Sequence, residues 1–231
     1  MATMIGMSVK VFGAPALYAK KIRNDAMVDC VKFGAFAGIS ILVAYAYYKY
    51  NAKFPLYVLV VPLLTCLYSL HKFSIARVRY IKASVGIRAE VKVSKILSRC
   101  APFALVNGSL LGSHGDIDHI VVGPCLVSVE TKYGAGPVGL DAKGNLVCGK
   151  KLFKGNPVEQ ARRASAAVSK YTGFKCNPVV VVTGSTSKPF ISNGVTVCSA
   201  SDLVSVLSAF PAIRVSRDQA ELIAQRLHVA K

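Results

Sequence analysis

Tryptophan is absent and acids are scarce: the 231 residues hold 11 Asp and Glu against 29 Lys and Arg, a formal net charge of +18. That excess points to a polyanion, nucleic acid or anionic lipid, and charge alone does not choose between them. No two of the seven cysteines form a C-x-x-C pair, and their number is odd. A disulfide framework and a cysteine-ligated zinc site are thereby disfavoured, and the thiols read as small buried hydrophobes in a reducing compartment. The four histidines show no metal-ligand spacing. His119 reads as a structural or surface residue. The basic, briefly apolar start lacks a small-residue cleavage site after an apolar core, so it does not read as a signal peptide.

What is present first is a basic arm over residues 1–30, expected to be interfacial or disordered, followed by two apolar runs. Phe33–Tyr48 and Phe54–Leu70 are free of charge over sixteen and seventeen residues. Tyrosines gather at their ends, as at a membrane interface, and neither run shows a polar face. The five residues 49–53 between them suit a tight transmembrane helical hairpin over residues 31–71, with Pro62 inside its second helix. Lys20, Lys21, Arg23 and Lys32 precede the hairpin and Lys72, Arg77, Arg79 and Lys82 follow it, whereas the connection holds only Lys49 and Lys53. The positive-inside rule then puts both termini, and the rest of the chain, on the cytoplasmic side of an inner or plasma membrane.

Residues 72–231 have the composition of an ordinary soluble domain. The pattern predicts a helix from Ser74 to about Leu97, a strand over Phe103–Val106, and a polar glycine-rich loop over Asn107–Gly115. A short hairpin is expected within residues 134–148. A helix follows from Asn156-Pro157 to about Tyr171, then strands over Pro178–Thr183 and Val195–Cys198, and two closing helices opened by Ser201 and Ser216. The order describes a mixed α/β fold. The stretch Gly144-x-x-x-x-Gly149-Lys150 imitates a P-loop, but Lys151 stands where Ser or Thr must meet magnesium and no helix starts there.

The chemistry concentrates between residues 115 and 132. Two short apolar strands flank a Gly123-Pro124 turn; the first opens with Asp118 and the second ends Glu130-Thr131-Lys132. Side chains alternate along a strand, so Glu130 and Lys132 share a face. A hairpin would bring Asp118 to them at one end of a sheet. Two carboxylates suit a hard cation, and a lysine can orient or deprotonate an attacking water, as magnesium-dependent phosphodiester hydrolysis requires. From Lys72 onward there are 22 Lys and Arg but 9 Asp and Glu, and Glu90, Asp116, Asp118 and Glu130 all fall in or before this stretch. Either Asp116 or Asp118 could reach a metal; Asp116 reads as part of the loop, where it could cap the turn.

The blocks Gly86-x-x-Ala-Glu90, Ile117-Asp118-His119-Ile120-Val121-Val122, Val129-Glu130-Thr131-Lys132-x-x-x-Gly136 and Asn156-Pro157-x-x-Gln160 occur in order. Over about residues 84–200 the chain resembles the nuclease-related domain family (NERD), which looks like a branch of the PD-(D/E)xK, restriction-endonuclease-like superfamily. The resemblance implies a mixed sheet flanked by helices. It favours Asp118 over Asp116 and makes Asp118, Glu130 and Lys132 the catalytic core. Glu90 becomes the helix acid that assists the metal, and Gln160 the polar residue of the following helix. The implied cofactor is Mg2+, with Mn2+ able to substitute. The implied activity is that of a metal-dependent nuclease; with the hairpin, which lies outside the resemblance and rests on hydropathy alone, the expected function is a membrane-anchored nuclease of cytoplasmic DNA, DNA being favoured over RNA. Lys150, Lys151, Lys154, Arg162 and Arg163 would follow the phosphate backbone, a solvated basic face being the plain alternative. The competing reading is a non-catalytic module that docks nucleic acid or protein at the inner membrane face. The sequence neither requires nor rules out a homo-oligomer.

Overall fold

The structure is a computed structural model and describes residues 9–50, 60–100, 103–110 and 116–229. The predicted loop residues 111–115, the residues 51–53 of the hairpin connection and the first part of the second apolar run, 54–59, lie outside the described residues. The chain divides into two compact units. One joins the residues up to Tyr18 with those from Gly86 onward, and the other is Ala19–Val85.

The first unit is mixed α/β. Its seven-stranded sheet runs in the order β1 (Lys10–Phe12), β2 (Ala104–Leu110), β3 (Asp116–Val122), β4 (Leu126–Tyr133), β8 (Asn177–Thr183), β10 (Val195–Ser199), β9 (Phe190–Ser192). β2, β3 and β4 form an antiparallel meander, while β4, β8 and β10 are parallel neighbours. β8 has a continuous valine run buried on both faces, as a central parallel strand requires. On one face Val93 and Leu97 of helix α2 (Val60–Arg99) pack against Leu105, Val121, Val129, Val179 and Val181. The other face is closed by α3 (Pro157–Thr172) and α5 (Arg217–Val229), whose Val168, Ala224 and Leu227 meet Val106, Ile120 and Val122. A short helix, α4 (Leu203–Ser208), supplies Leu203 and Leu207 to the α2 side.

Caps set α3. The Asn156 side chain accepts the Glu159 N–H, Pro157 opens the first turn, and Gly173 ends the helix at φ +76°. Ser216 and Gln219 cap α5 reciprocally, each side chain accepting the other's backbone N–H. Residues 138–152 form a separate three-stranded meander, β5 (Val138–Leu140), β6 (Leu146–Cys148) and β7 (Lys151–Leu152), one strand more than the hairpin expected there. The P-loop imitation falls on this meander, and no helix starts at Lys150, the next being α3 from Pro157.

Three expectations are corrected. Residues 10–12, placed in a basic arm, form an edge strand parallel to β2. β2 runs on to Leu110 through residues read as loop, because Asn107 and Ser109 find partners in the sheet and in α5. The helix expected to begin at Ser74 is continuous from Val60, and Pro62 lies in its first described turn.

In the second unit, helix α1 (Leu17–Tyr50) begins well before the apolar run and continues through it. It is long and apolar enough to cross a membrane, with mean hydropathy 1.8 over its best 18 residues, of which 17% are buried. It is the one such helix among the described residues, so a two-helix span is not shown. Its exposed side chains include Phe36, Ile39, Ile41, Leu42 and Val43.

Candidate active site

The β3–β4 ladder is regular from Val122–Leu126 to His119–Val129 and then stops. One step further, the Thr131 N–H donates to Oδ2 of Asp118 at 2.7 Å, so a carboxylate takes the place of a ladder carbonyl. Asp118 is thus fixed beside the end of β4, on the strand partner the hairpin reading expected. On β4, Lys132 Nζ lies 2.6 Å from Glu130 Oε1, and both side chains are largely buried. Glu130 and Lys132 stand in register with Val180 and Val182 of β8, which pack with Val158 and Ala161 of α3. The alternation therefore turns the acid and the lysine to the α3 side and leaves Val129 in the core beneath α2.

Electrostatics brings two further acids into the group. Burial, then the charge of Asp116, pushes Glu90 of α2 up to about 7, and the Glu130 charge adds to this. The N–H of Ala16 and the charge of Lys132 work against the rise. Burial and then the Glu130 charge raise Asp116. Asp118 is held well above the usual carboxylate range by burial, Glu130 and Glu90, against the opposing Thr131 N–H and Lys132. Four carboxylates and one lysine therefore share one electrostatic site. Asp116, placed by the sequence reading in the loop, is the first residue of β3 and belongs to this group. The sequence marks it only as a rival ligand; the D-x-D alternation puts both acids on one face of a strand and is the available signal.

Gln160 sits on α3, its Oε1 buried and without a hydrogen-bond partner among the described residues. His119 is fully buried and outside the acid group; its Nδ1 lies 2.7 Å from Oδ1 of Asn107, and burial lowers it to about 3, so the ring is neutral. Lys150, Lys151 and Lys154 are exposed on or just after the β6–β7 turn. Arg162 and Arg163 are exposed as well, but both pair with Glu159, Arg162 at 2.9 Å and Arg163 at 3.8 Å.

Oxygen donors crowded enough to raise one another's proton affinity are a donor set for a hard divalent cation. Their positions are not yet those of ligands: among the described residues, no three His, Cys, Asp or Glu side chains are grouped closely enough to hold a metal ion. The donor chemistry fits Mg2+, and the spacing would have to close around it.

An α/β domain whose acids and lysine meet at the end of a β-hairpin defines the class. More narrowly, residues 85–183 match the family model NERD, nuclease-related domain, which covers Glu90, Asp118, Glu130, Lys132 and Gln160 and less than half of the chain. No curated protein matches the chain, and no solved structure matches it.

Proposed function

We propose that the chain is a metal-dependent nuclease that hydrolyses phosphodiester bonds of cytoplasmic DNA and is held at a membrane by α1 and the apolar start of α2. The observation that carries this reading is the pairing of Glu130 and Lys132 on β4 beside Asp118 on β3, inside the residues that match the nuclease-related domain. Asp118 and Glu130, with Glu90 assisting, would hold Mg2+ or Mn2+. A bound divalent cation supplies Lewis-acid polarisation of the scissile phosphate and charge neutralisation at the leaving oxygen. The chain's own groups do the rest. Thr131 N–H aims the Asp118 carboxylate, and Lys132, were Glu130 engaged by a cation, would orient the attacking water through its ammonium group. Lys150, Lys151 and Lys154 offer cations to the phosphate backbone; Arg162 and Arg163 would have to leave Glu159 to do so. A restriction-endonuclease-like sheet, a second membrane span, cytoplasmic termini and a homo-oligomer belong to the same proposal.

The spacing of the acids favours a second reading, a non-catalytic docking module in which Glu130 and Lys132 form a structural ion pair. Incubating the detergent-solubilised full chain with duplex DNA and with single-stranded RNA, with and without Mg2+ or Mn2+, separates the two. The full chain is needed because β1 is part of the sheet. Metal-dependent cutting that disappears in Glu130→Ala and Lys132→Ala supports the nuclease. Folded protein that binds DNA without cutting it supports the docking module.

A further inference from the structure

From Gly86 to its end, α2 carries four cations, Arg88, Lys92, Lys95 and Arg99, and one acid, Glu90. At 3.6 residues per turn the four cations fall within an arc of about 60° of the helix surface. Glu90 lies on the opposite side, with Val93 and Leu97, which pack on the sheet. All four cationic side chains are exposed, and they line one groove along the helix with Val91 and Ile96. Among the described residues, Lys92, Lys95 and Arg99 pair with no carboxylate. A solvated helix face ordinarily mixes the two signs, because opposite charges three or four residues apart support a helix and like charges at that spacing work against it. This face holds like charges only, spaced four, three and four residues apart. Arg99, in the last turn, is favoured by the helix dipole; the others keep a local repulsion that a polyanion would relieve. The four span about 16 Å along the axis, which matches about five steps of a nucleic-acid strand. An interfacial helix would also present large apolar side chains to the lipid. Between Gly86 and Arg99 none is exposed, the last on α2 being Ile81.

We infer that the outer face of α2, with Arg88, Lys92, Lys95 and Arg99, binds the phosphate backbone of a nucleic acid, as a surface on a different element from Lys150, Lys151 and Lys154. The face lies inside the stretch that matches the nuclease-related domain. That the bound strand is also the substrate rests on the nuclease reading; that a phosphate backbone binds here does not.

Binding of fluorescein-labelled duplex DNA to the detergent-solubilised full chain, without divalent metal and over a range of NaCl concentrations, tests the surface. Lys92→Gln, Lys95→Gln and Arg99→Gln combined should weaken binding by at least ~10-fold and lower the slope of log K against log salt by about 2–3. Lys170→Gln, Lys175→Gln and Lys188→Gln combined remove the same charge from exposed positions off this helix. They should change the slope by less than about 1. An unchanged slope in the folded α2 variant, an equal fall in the two variants, or no DNA binding by folded wild type overturns the inference. Flotation with vesicles of phosphatidylcholine, with and without phosphatidylserine, covers the other polyanion. An α2 variant that loses a preference for phosphatidylserine while its DNA binding stays intact assigns the face to an anionic membrane and overturns the inference as well. Added Mg2+ separates this surface from the nuclease reading. Wild type that binds DNA through this face yet never cuts it sinks the nuclease reading alone, whereas cutting wild type whose α2 variant binds as tightly sinks the surface alone.

Discussion

At Asp118 fixation and ionisation pull in opposite directions. Its carboxylate accepts the Thr131 N–H, yet burial and two neighbouring acids resist its negative charge. A side chain selected for stability alone would be neutral, which is the pattern of a site that sacrifices stability for chemistry. Asp118→Asn keeps an acceptor for Thr131 and removes the charge. It should therefore raise the Tm of the metal-free protein at pH 8, by a few degrees for about 1–2 kcal/mol. Glu90 gives the pH-dependent counterpart. Its proton affinity is higher folded than unfolded, so its stabilising contribution is complete below about pH 4.5 and is lost as pH rises through about 7. His119 has the opposite sign, since its folded value of about 3 means stability lost as pH falls below the usual histidine range. Comparing wild type with Glu90→Gln cancels the histidine. Between pH 5 and pH 8 the wild type should lose about 1–3 kcal/mol more stability than the variant in urea unfolding. The acids themselves were legible in the sequence because they are so few, whereas Asp116 was not assigned, since a strand end and a loop residue look alike without the register.

Among the elements, α3 was the most readable, because Asn156-Pro157 states its start in local chemistry. Asn156→Ala removes the acceptor for the Glu159 N–H and should lower unfolding free energy by about 1 kcal/mol, measured by denaturant midpoint, with the acid site undisturbed. β4 and β8 were equally plain from their apolar runs. β1 was not, since three residues carry no period, and its existence depends on an exposed parallel edge of β2 some 90 residues away. The extension of β2 to Leu110 was hidden for a related reason. Asn107, Gly108 and Ser109 have loop propensities, and only tertiary partners, His119 and the Leu227 carbonyl, hold them in a strand. The continuity of α2 from Val60 to Arg99 overrode the expected break near residue 72, because hydropathy changes there without any residue that stops a helix.

The chain as a whole carries a formal net charge of +18, and four of its eleven acids, Glu90, Asp116, Asp118 and Glu130, share one electrostatic site. Lys150, Lys151 and Lys154 are solvent-exposed, and the ion pairs of Glu130 and Glu159 are with Lys132, Arg162 and Arg163. Replacing all three lysines by Gln should weaken DNA binding and reduce the slope of log K against log salt by about 2–3, whereas the pair Arg162→Gln and Arg163→Gln should change that slope less, because Glu159 already partners both. A fluorescence titration over a range of NaCl concentrations reads both. The most direct test of the central claim is the rate of duplex DNA cleavage by the full chain in Mg2+, measured beside Asp118→Asn. The account predicts metal-dependent cutting by the wild type and a loss of at least ~100-fold in a variant that melts no lower. Equal rates in the two proteins, or no metal-dependent cutting by folded wild type, would contradict it.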